Sequence, residues 1–311
     1  MSNPMKILIT GSNGLLGQKL VYALRSRADV NLIATAPGKN RIREQEGYTY
    51  EELDITDSHA VEKIFSNHQP DCIINTAAMT NVDACTLHPD TCTKINVDAV
   101  RIIAENCKKH STHLIQISTD FIFDGSKGPY KEEDIPNPQS VYAQSKLDSE
   151  KIIQQAGIDW CIIRTIIIYG VTDDQQRSNV VLWVKNSLEQ KKTITVITDQ
   201  YRSPTLAEDL AQACISAALK SSQGIFHVSG KELMSIIEIA NKVADYFQLD
   251  KSFIKPVTSE ELNLPAKRPP VTGFILDKAI RDLNYEPHTF EEGLKIVAEQ
   301  LINKASLHQE G

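Results

Sequence analysis

Lys6-Ile7-Leu8-Ile9-Thr10 runs without a break into Gly11-Ser12-Asn13-Gly14-Leu15-Leu16-Gly17. An apolar strand, a glycine loop and an amphipathic helix, with Leu16, Leu20 and Leu24 on one face, succeed one another in the order of a dinucleotide-binding turn. Gly11 permits the tight turn. Gly14 leaves room for a pyrophosphate against the N–H groups of the helix N-terminus, and Gly17 lets helix and sheet approach closely. Asn13, Leu15 and Leu16 complete this candidate cradle. The spacing is G-x-x-G-x-x-G rather than the commoner G-x-G-x-x-G, so the flanking strand and helix carry the reading.

Outward from this turn, short apolar runs alternate with amphipathic stretches. Ile7–Ile9, Asn31–Ala34, Cys72–Asn75, His113–Ser118 and Trp160–Thr165 read as strands, and another is placed just before Asp54-Ile55. Their near-continuous hydrophobicity suits a parallel sheet buried on both faces. Helical patterns at 15–27, 60–67, 91–110 and 141–155 separate them. The expected fold is α/β, a doubly wound parallel sheet of Rossmann type with a smaller interleaved C-terminal lobe. Residues 1–170 and 198–229 are assigned to the cofactor domain, 171–197 and 230–304 to a substrate lobe. In the second half, helices are expected at 180–190, 205–219, 235–248 and 290–303, and strands at 193–197 and 225–228. Leu264 to Pro270 is proline-rich and reads as a loop.

The second strand leads into Ala36-Pro37-Gly38-Lys39-Asn40-Arg41, with no carboxylate to meet a ribose 2′-hydroxyl. Lys39 and Arg41, with Arg43 behind them, could instead meet a 2′-phosphate, which favours NADPH and leaves NADH open. A solvated loop of ordinary surface charge is the plain alternative. Asp54 and Ile55 are placed to flank an adenine, and Ala77 and Ala78 are small enough for a cofactor to lie against the backbone.

Tyr142 and Lys146 stand four residues apart in Val141-Tyr142-Ala143-Gln144-Ser145-Lys146, on one helical face. A lysine there is expected to lower the phenol pKa electrostatically, and its ammonium can bond a nicotinamide ribose. Thr119, closing the fifth strand 23 residues earlier, is the chosen hydroxyl for a substrate carbonyl, with Ser118 as competitor. Y-x-x-x-K alone is common on exposed helices; in one chain with the glycine loop it reads as a carbonyl reductase.

Bulk properties agree. A net charge of -7 argues against nucleic acid or an anionic membrane as partner. No run reaches the roughly 18 apolar residues of a membrane span, and the start is too short for a signal peptide, so a cytoplasmic location is expected. Cys72, Cys85, Cys92, Cys107, Cys161 and Cys214 lack C-x-x-C spacing and are expected as buried thiols. His110 and His113 read as a surface turn, and no metal is expected.

With these motifs in hand, the chain resembles the extended short-chain dehydrogenases/reductases, and within them the dTDP-4-dehydrorhamnose reductases, over nearly its whole length. The resemblance rests on Ser118 to Gly125, Pro138 to Lys146, Asp199 to Thr205, Gly224 to His227, Ala266 to Pro269 and Phe290 to Leu294. It implies reduction of the C4 ketone of a dTDP-6-deoxy-hexulose to dTDP-L-rhamnose. Tyr142 would be the proton donor, Lys146 its modulator and Thr119 the holder of the oxygen. Asp120 and Phe121 would stand at the substrate, with Arg202 and Arg268 as diphosphate partners or, equally, surface charges. Ile166-Ile167-Ile168 replaces a segment usually containing an aromatic residue, Phe121 stands where a tyrosine is common, and Asn179-Val180 replaces an asparagine–phenylalanine pair. These departures keep alive a different nucleotide-sugar reductase or epimerase. A non-catalytic regulatory subunit on the same fold is a separate alternative, against which the intact Thr119, Tyr142 and Lys146 argue. A homodimer is also open, since relatives often dimerise.

Overall fold

The computed structural model describes residues 3–174, 179–262 and 264–307. Seven parallel strands form the central sheet: β1 (Met5–Thr10), β2 (Val30–Ala36), β3 (Thr49–Glu52), β4 (Cys72–Asn75), β5 (His113–Thr119), β6 (Trp160–Thr165) and β7 (Gly224–His227). Their spatial order is β7-β6-β5-β4-β1-β2-β3, the doubly wound arrangement, with its order reversing between β1 and β4. Ile7, Leu8 and Ile9 are fully buried, as are Ile73 and Ile74, because helices cover both faces. One face packs Leu16, Leu20 and Leu24 with Leu210 and Cys214; the other packs Val61, Phe65, Val100, Ile103 and Ile153.

Another apolar cluster gathers Val181, Val184, Ile194, Val196, Ile239, Val243, Phe290 and Leu294 from the second half of the chain. Its helix Ile236–Tyr246 starts with a capping box between Ser235 and Glu238. The segment from Leu276 to Tyr285 instead adds Leu276, Ala279, Leu283 and Tyr285 to the sheet's core. Short strands Tyr201–Arg202, Met234–Ser235 and Val271–Thr272 form a small sheet of their own.

One expected helix, 91–110, is interrupted. Pro89–Thr93 and Ala99–His110 are α-helical, but Lys94–Asp98 is a π turn. The wide turn presents the buried Asn96, whose Oδ1 accepts from Met79 N–H at 2.8 Å and whose Nδ2 donates to Ser145 Oγ at 3.1 Å. This bridge ties the chain after β4 to the helix Val141–Gln155, a local use of irregular helix typical of functional regions. The expected helix at 205–219 begins later, since Thr205–Leu206 pairs with Ile168–Tyr169 before Ala207–Leu219 coils.

Candidate functional site

The carboxyl ends of β1, β4 and β5 open into a cleft at the point of strand reversal. It has an inner cavity of about 350 Å³ and an outer cavity of about 470 Å³, which share Gly14, Thr76, Ala77, Ala78 and Thr80. The glycine loop forms the shared floor. Gly11 has φ +70°, and a Cβ on it would lie 2.8 Å from the Ala77 nitrogen; a side chain there would collide with the end of β4. A Cβ on Gly17 would lie 2.4 Å from the Gly11 oxygen, so helix Leu15–Leu24 rests directly on the loop. That helix has no side-chain cap and no acidic residue in its first turn. Its N–H groups and dipole therefore face the cleft, ready for an anion. Leu15, Leu16 and Gly17 line the inner cavity.

Around the outer cavity stand Asn13, Arg41, Asp54 and Ile55, with Ala36 and Pro37 from the end of β2. The Asn13 side chain braces the loop: its Nδ2 donates to the Lys39 carbonyl and its Oδ1 accepts from Arg41 N–H, both at 2.9 Å. Arg41 lines this cavity, whereas Lys39 is exposed and does not. Lys94, which the sequence reading passed over, is a second cation on the rim. A carboxylate is also near: Glu52 Oε1 accepts from Gly38 N–H at 3.0 Å. It comes from β3, so the absence of an acid at the end of β2 does not leave the loop without one.

Thr119, Tyr142 and Lys146 meet in the inner cavity. Ser140 caps the helix Val141–Gln155 through Ala143 N–H, fixing its first turn against β5. Thr119 Oγ1 donates to Asp120 Oδ1 at 3.1 Å on the cavity wall beside Tyr142, while Ser118 Oγ donates to Glu150 Oε1 at 2.5 Å. Ser118 is thus committed to a buried network in which Arg164 Nη2 lies 2.7 Å from Glu150 Oε2. Lys146 Nζ donates to the Ile117 carbonyl at 2.7 Å.

The expectation of a depressed phenol pKa is not met. Burial pushes Tyr142 up, the polar Thr119 hydroxyl nearby opposes this, and Asp120 adds to the rise. Burial pulls Lys146 down to about 8, with Glu150 acting in the opposite direction. A phenol held protonated beside a lysine that is mostly charged at neutral pH is poised to donate a proton rather than to accept one.

Asp120 lines the inner cavity and is itself buried, accepting from Thr119 Oγ1 at 3.1 Å and from Thr272 Oγ1. Phe121 meets the Tyr142 ring edge-on, with centroids 6.2 Å apart. The two arginines lie elsewhere. Arg202 is 1% exposed, outside both cavities, with Nε 3.7 Å from Asp120 Oδ2 and Nη2 2.6 Å from the Pro269 carbonyl. It is neither a surface charge nor a cleft residue but a clamp on the proline-rich loop. Arg268 pairs with Asp83 at 2.6 Å. Ile167 and Ile168 line the inner cavity, and Ile167 has φ +27°, a strained value for a β-branched residue. Asn179 lines the same wall and caps helix Val180–Glu189 through Leu182 N–H, while 175–178 lie outside the described residues.

Thr80 and Thr165 are cleft residues that the sequence reading missed. Their signal was only position, shortly beyond a strand or at its last residue. Among the described residues, no group of three His, Cys, Asp or Glu is arranged to hold a metal, and no helix is long and apolar enough to cross a membrane. All six cysteines are buried and free.

The parallel sheet, its glycine loop at the reversal point and the Tyr142–Lys146 pair facing the same cleft are the arrangement of the extended short-chain dehydrogenases/reductases, a class of nicotinamide-cofactor proteins. Residues 5–303 match the model of the RmlD substrate binding domain, and the chain belongs to that family. It is 34% identical to the methionine adenosyltransferase 2 subunit beta of Bos taurus, across 85% of this chain and 78% of that one. A dTDP-4-dehydrorhamnose reductase from Clostridium acetobutylicum superposes with TM-score 0.83 at 31% identity, covering 96% of this chain and 99% of the other. A dTDP-4-dehydrorhamnose reductase from Bacillus anthracis, in complex with NADP, superposes with TM-score 0.80 at 27% identity, covering 96% and 99%.

Proposed function

We propose that this chain reduces the C4 ketone of a dTDP-6-deoxy-hexulose, giving dTDP-L-rhamnose, with NADPH as reductant. The observation that carries this reading is the meeting of Thr119, Tyr142 and Lys146 in a cavity continuous with the glycine-loop cleft. Uncapped helix N–H groups, the crowded Gly11 and small Ala77 and Ala78 suit the pyrophosphate and ribose of a dinucleotide. When bound, that cofactor supplies the hydride. Thr119 holds the substrate oxygen by a hydrogen bond, and Tyr142 passes its proton to that oxygen as negative charge develops there. Lys146 keeps a positive charge near the phenol and is the group to bond the cofactor ribose. Arg41 is assigned to the 2′-phosphate, and the C-terminal cluster around Val184 and Val243 to the lobe that covers the sugar nucleotide.

Purified protein mixed with NADPH and dTDP-6-deoxy-L-lyxo-4-hexulose tests this reading by loss of nicotinamide absorbance. Oxidation with formation of dTDP-rhamnose supports it. Oxidation of NADPH only with another keto-sugar would move the assignment to a different nucleotide-sugar reductase.

A second reading is favoured by the 34% identity to a methionine adenosyltransferase subunit: a non-catalytic regulatory subunit that keeps the cofactor cleft. It expects NADPH binding without reduction of any keto-sugar.

A further inference from the structure

Asp174, 133 residues further along the chain, lines neither cavity but meets the side chain of Arg41, which lines the outer one. Its Oδ2 lies 3.3 Å from the Arg41 guanidinium, while its Oδ1 is buried and has no hydrogen-bond partner among the described residues. Asp173 fastens the same segment to the loop after β2. Its Oδ2 accepts from Arg43 N–H at 2.8 Å and from the Tyr22 hydroxyl at 2.5 Å, and its own N–H donates to Gln18 Oε1 at 2.8 Å. The carboxylate of Asp174 is therefore held in place by its neighbour's bonds and is not a wandering surface charge. It is paired with the loop cation that lines the outer cavity.

We propose that Asp174 is a cofactor-selectivity residue, competing with a 2′-phosphate for the Arg41 guanidinium. The proposal rests on the assignment of Arg41 to that phosphate. A phosphate carrying up to two negative charges and a carboxylate fixed on the same guanidinium repel one another. The 2′-phosphorylated dinucleotide bears that repulsion and the unphosphorylated one does not. Asp174 thus narrows the preference for NADPH over NADH that Arg41 creates.

The test is a binding titration, free of turnover, of NADPH and of NADH against wild type, Asp174→Asn, Arg41→Gln and the double variant, monitored by nicotinamide fluorescence. Asp174→Asn is expected to tighten NADPH roughly three- to tenfold at low salt while leaving NADH unchanged, because the pair is partly exposed. The gain shrinks in high salt and vanishes in the Arg41→Gln background. Equal effects on both cofactors, no effect on NADPH, or a gain that persists without Arg41 would overturn the proposal. An Arg41→Gln variant that binds NADPH like wild type would sink the phosphate assignment and the proposal together. A normal Arg41 effect with a silent Asp174→Asn would sink the proposal alone.

Discussion

Thr119 and Ser118 are consecutive on β5 and part company: Thr119 Oγ1 donates to Asp120 at 3.1 Å, whereas Ser118 Oγ donates to Glu150 at 2.5 Å. Both residues line the inner cavity, but the Ser118 hydroxyl is committed to Glu150, which leaves Thr119 as the hydroxyl for a substrate oxygen. Thr119→Val should lower turnover by about 10- to 1,000-fold, on the scale of a lost oxyanion donor, with cofactor binding intact. Ser118→Ala should instead lower stability, since it leaves Glu150 short of a buried partner. Steady-state kinetics and thermal melts on the two variants separate these effects; equal kinetic losses would refute the division of roles.

Tyr142→Phe keeps the ring that packs on Phe121 and removes the proton. Turnover should fall by roughly 100- to 10,000-fold, the usual contribution of a general acid. The fluorescence titration with NADPH should be unchanged. A variant with wild-type turnover would remove Tyr142 from the mechanism.

Lys146 carries a built-in stability penalty. Burial pulls its pKa to about 8 from an ordinary 10.5. Between these values the unfolded chain binds the extra proton, so the penalty is in full force below pH 8, is relieved as pH rises from 8 to 10.5, and is gone above. Lys146→Met should therefore be more stable than wild type at pH 7, by up to about 3 kcal/mol less whatever the Ile117 hydrogen bond contributes. The difference should close as pH approaches 10.5, while turnover is lost throughout. Denaturation of both proteins across this range checks the sign; a constant difference would show that the lysine is not desolvated.

Arg202 balances the buried Asp120 and holds the Pro269 carbonyl. Arg202→Met strands a carboxylate whose pKa burial already raises, and should destabilise by about 3–5 kcal/mol. Adding Asp120→Asn should recover part of that loss. Urea melts of the single and double variants provide the test; no recovery would mean that the carbonyl contacts, not the ion pair, matter.

Local pattern made the sheet and the glycine loop legible: Ile7–Ile9 and Cys72–Asn75 are nearly uninterrupted apolar runs, and Tyr142 with Lys146 lie one helical turn apart. β3 was harder because Thr49-Tyr50-Glu51-Glu52 is a polar edge strand, placed only by its position ahead of Asp54 and Ile55. The π turn at Lys94–Asp98 depends on Asn96 reaching Met79 and Ser145, contacts that exist only in three dimensions. The same holds for charge. An arginine in sequence reads as exposed, yet Arg202 is buried because a carboxylate and several carbonyls converge on it. Burial likewise set the direction of the Tyr142 shift, where helical spacing alone pointed the other way.

The most direct test of the proposed reduction is isotopic. The protein would be incubated with dTDP-6-deoxy-L-lyxo-4-hexulose and NADPH deuterated at the transferring position, and the product examined by NMR. Hydride delivery to the C4 carbonyl in the Thr119–Tyr142 cavity predicts dTDP-rhamnose with a single deuterium at C4. Absence of product with NADPH bound, or a product without deuterium at C4, would contradict it.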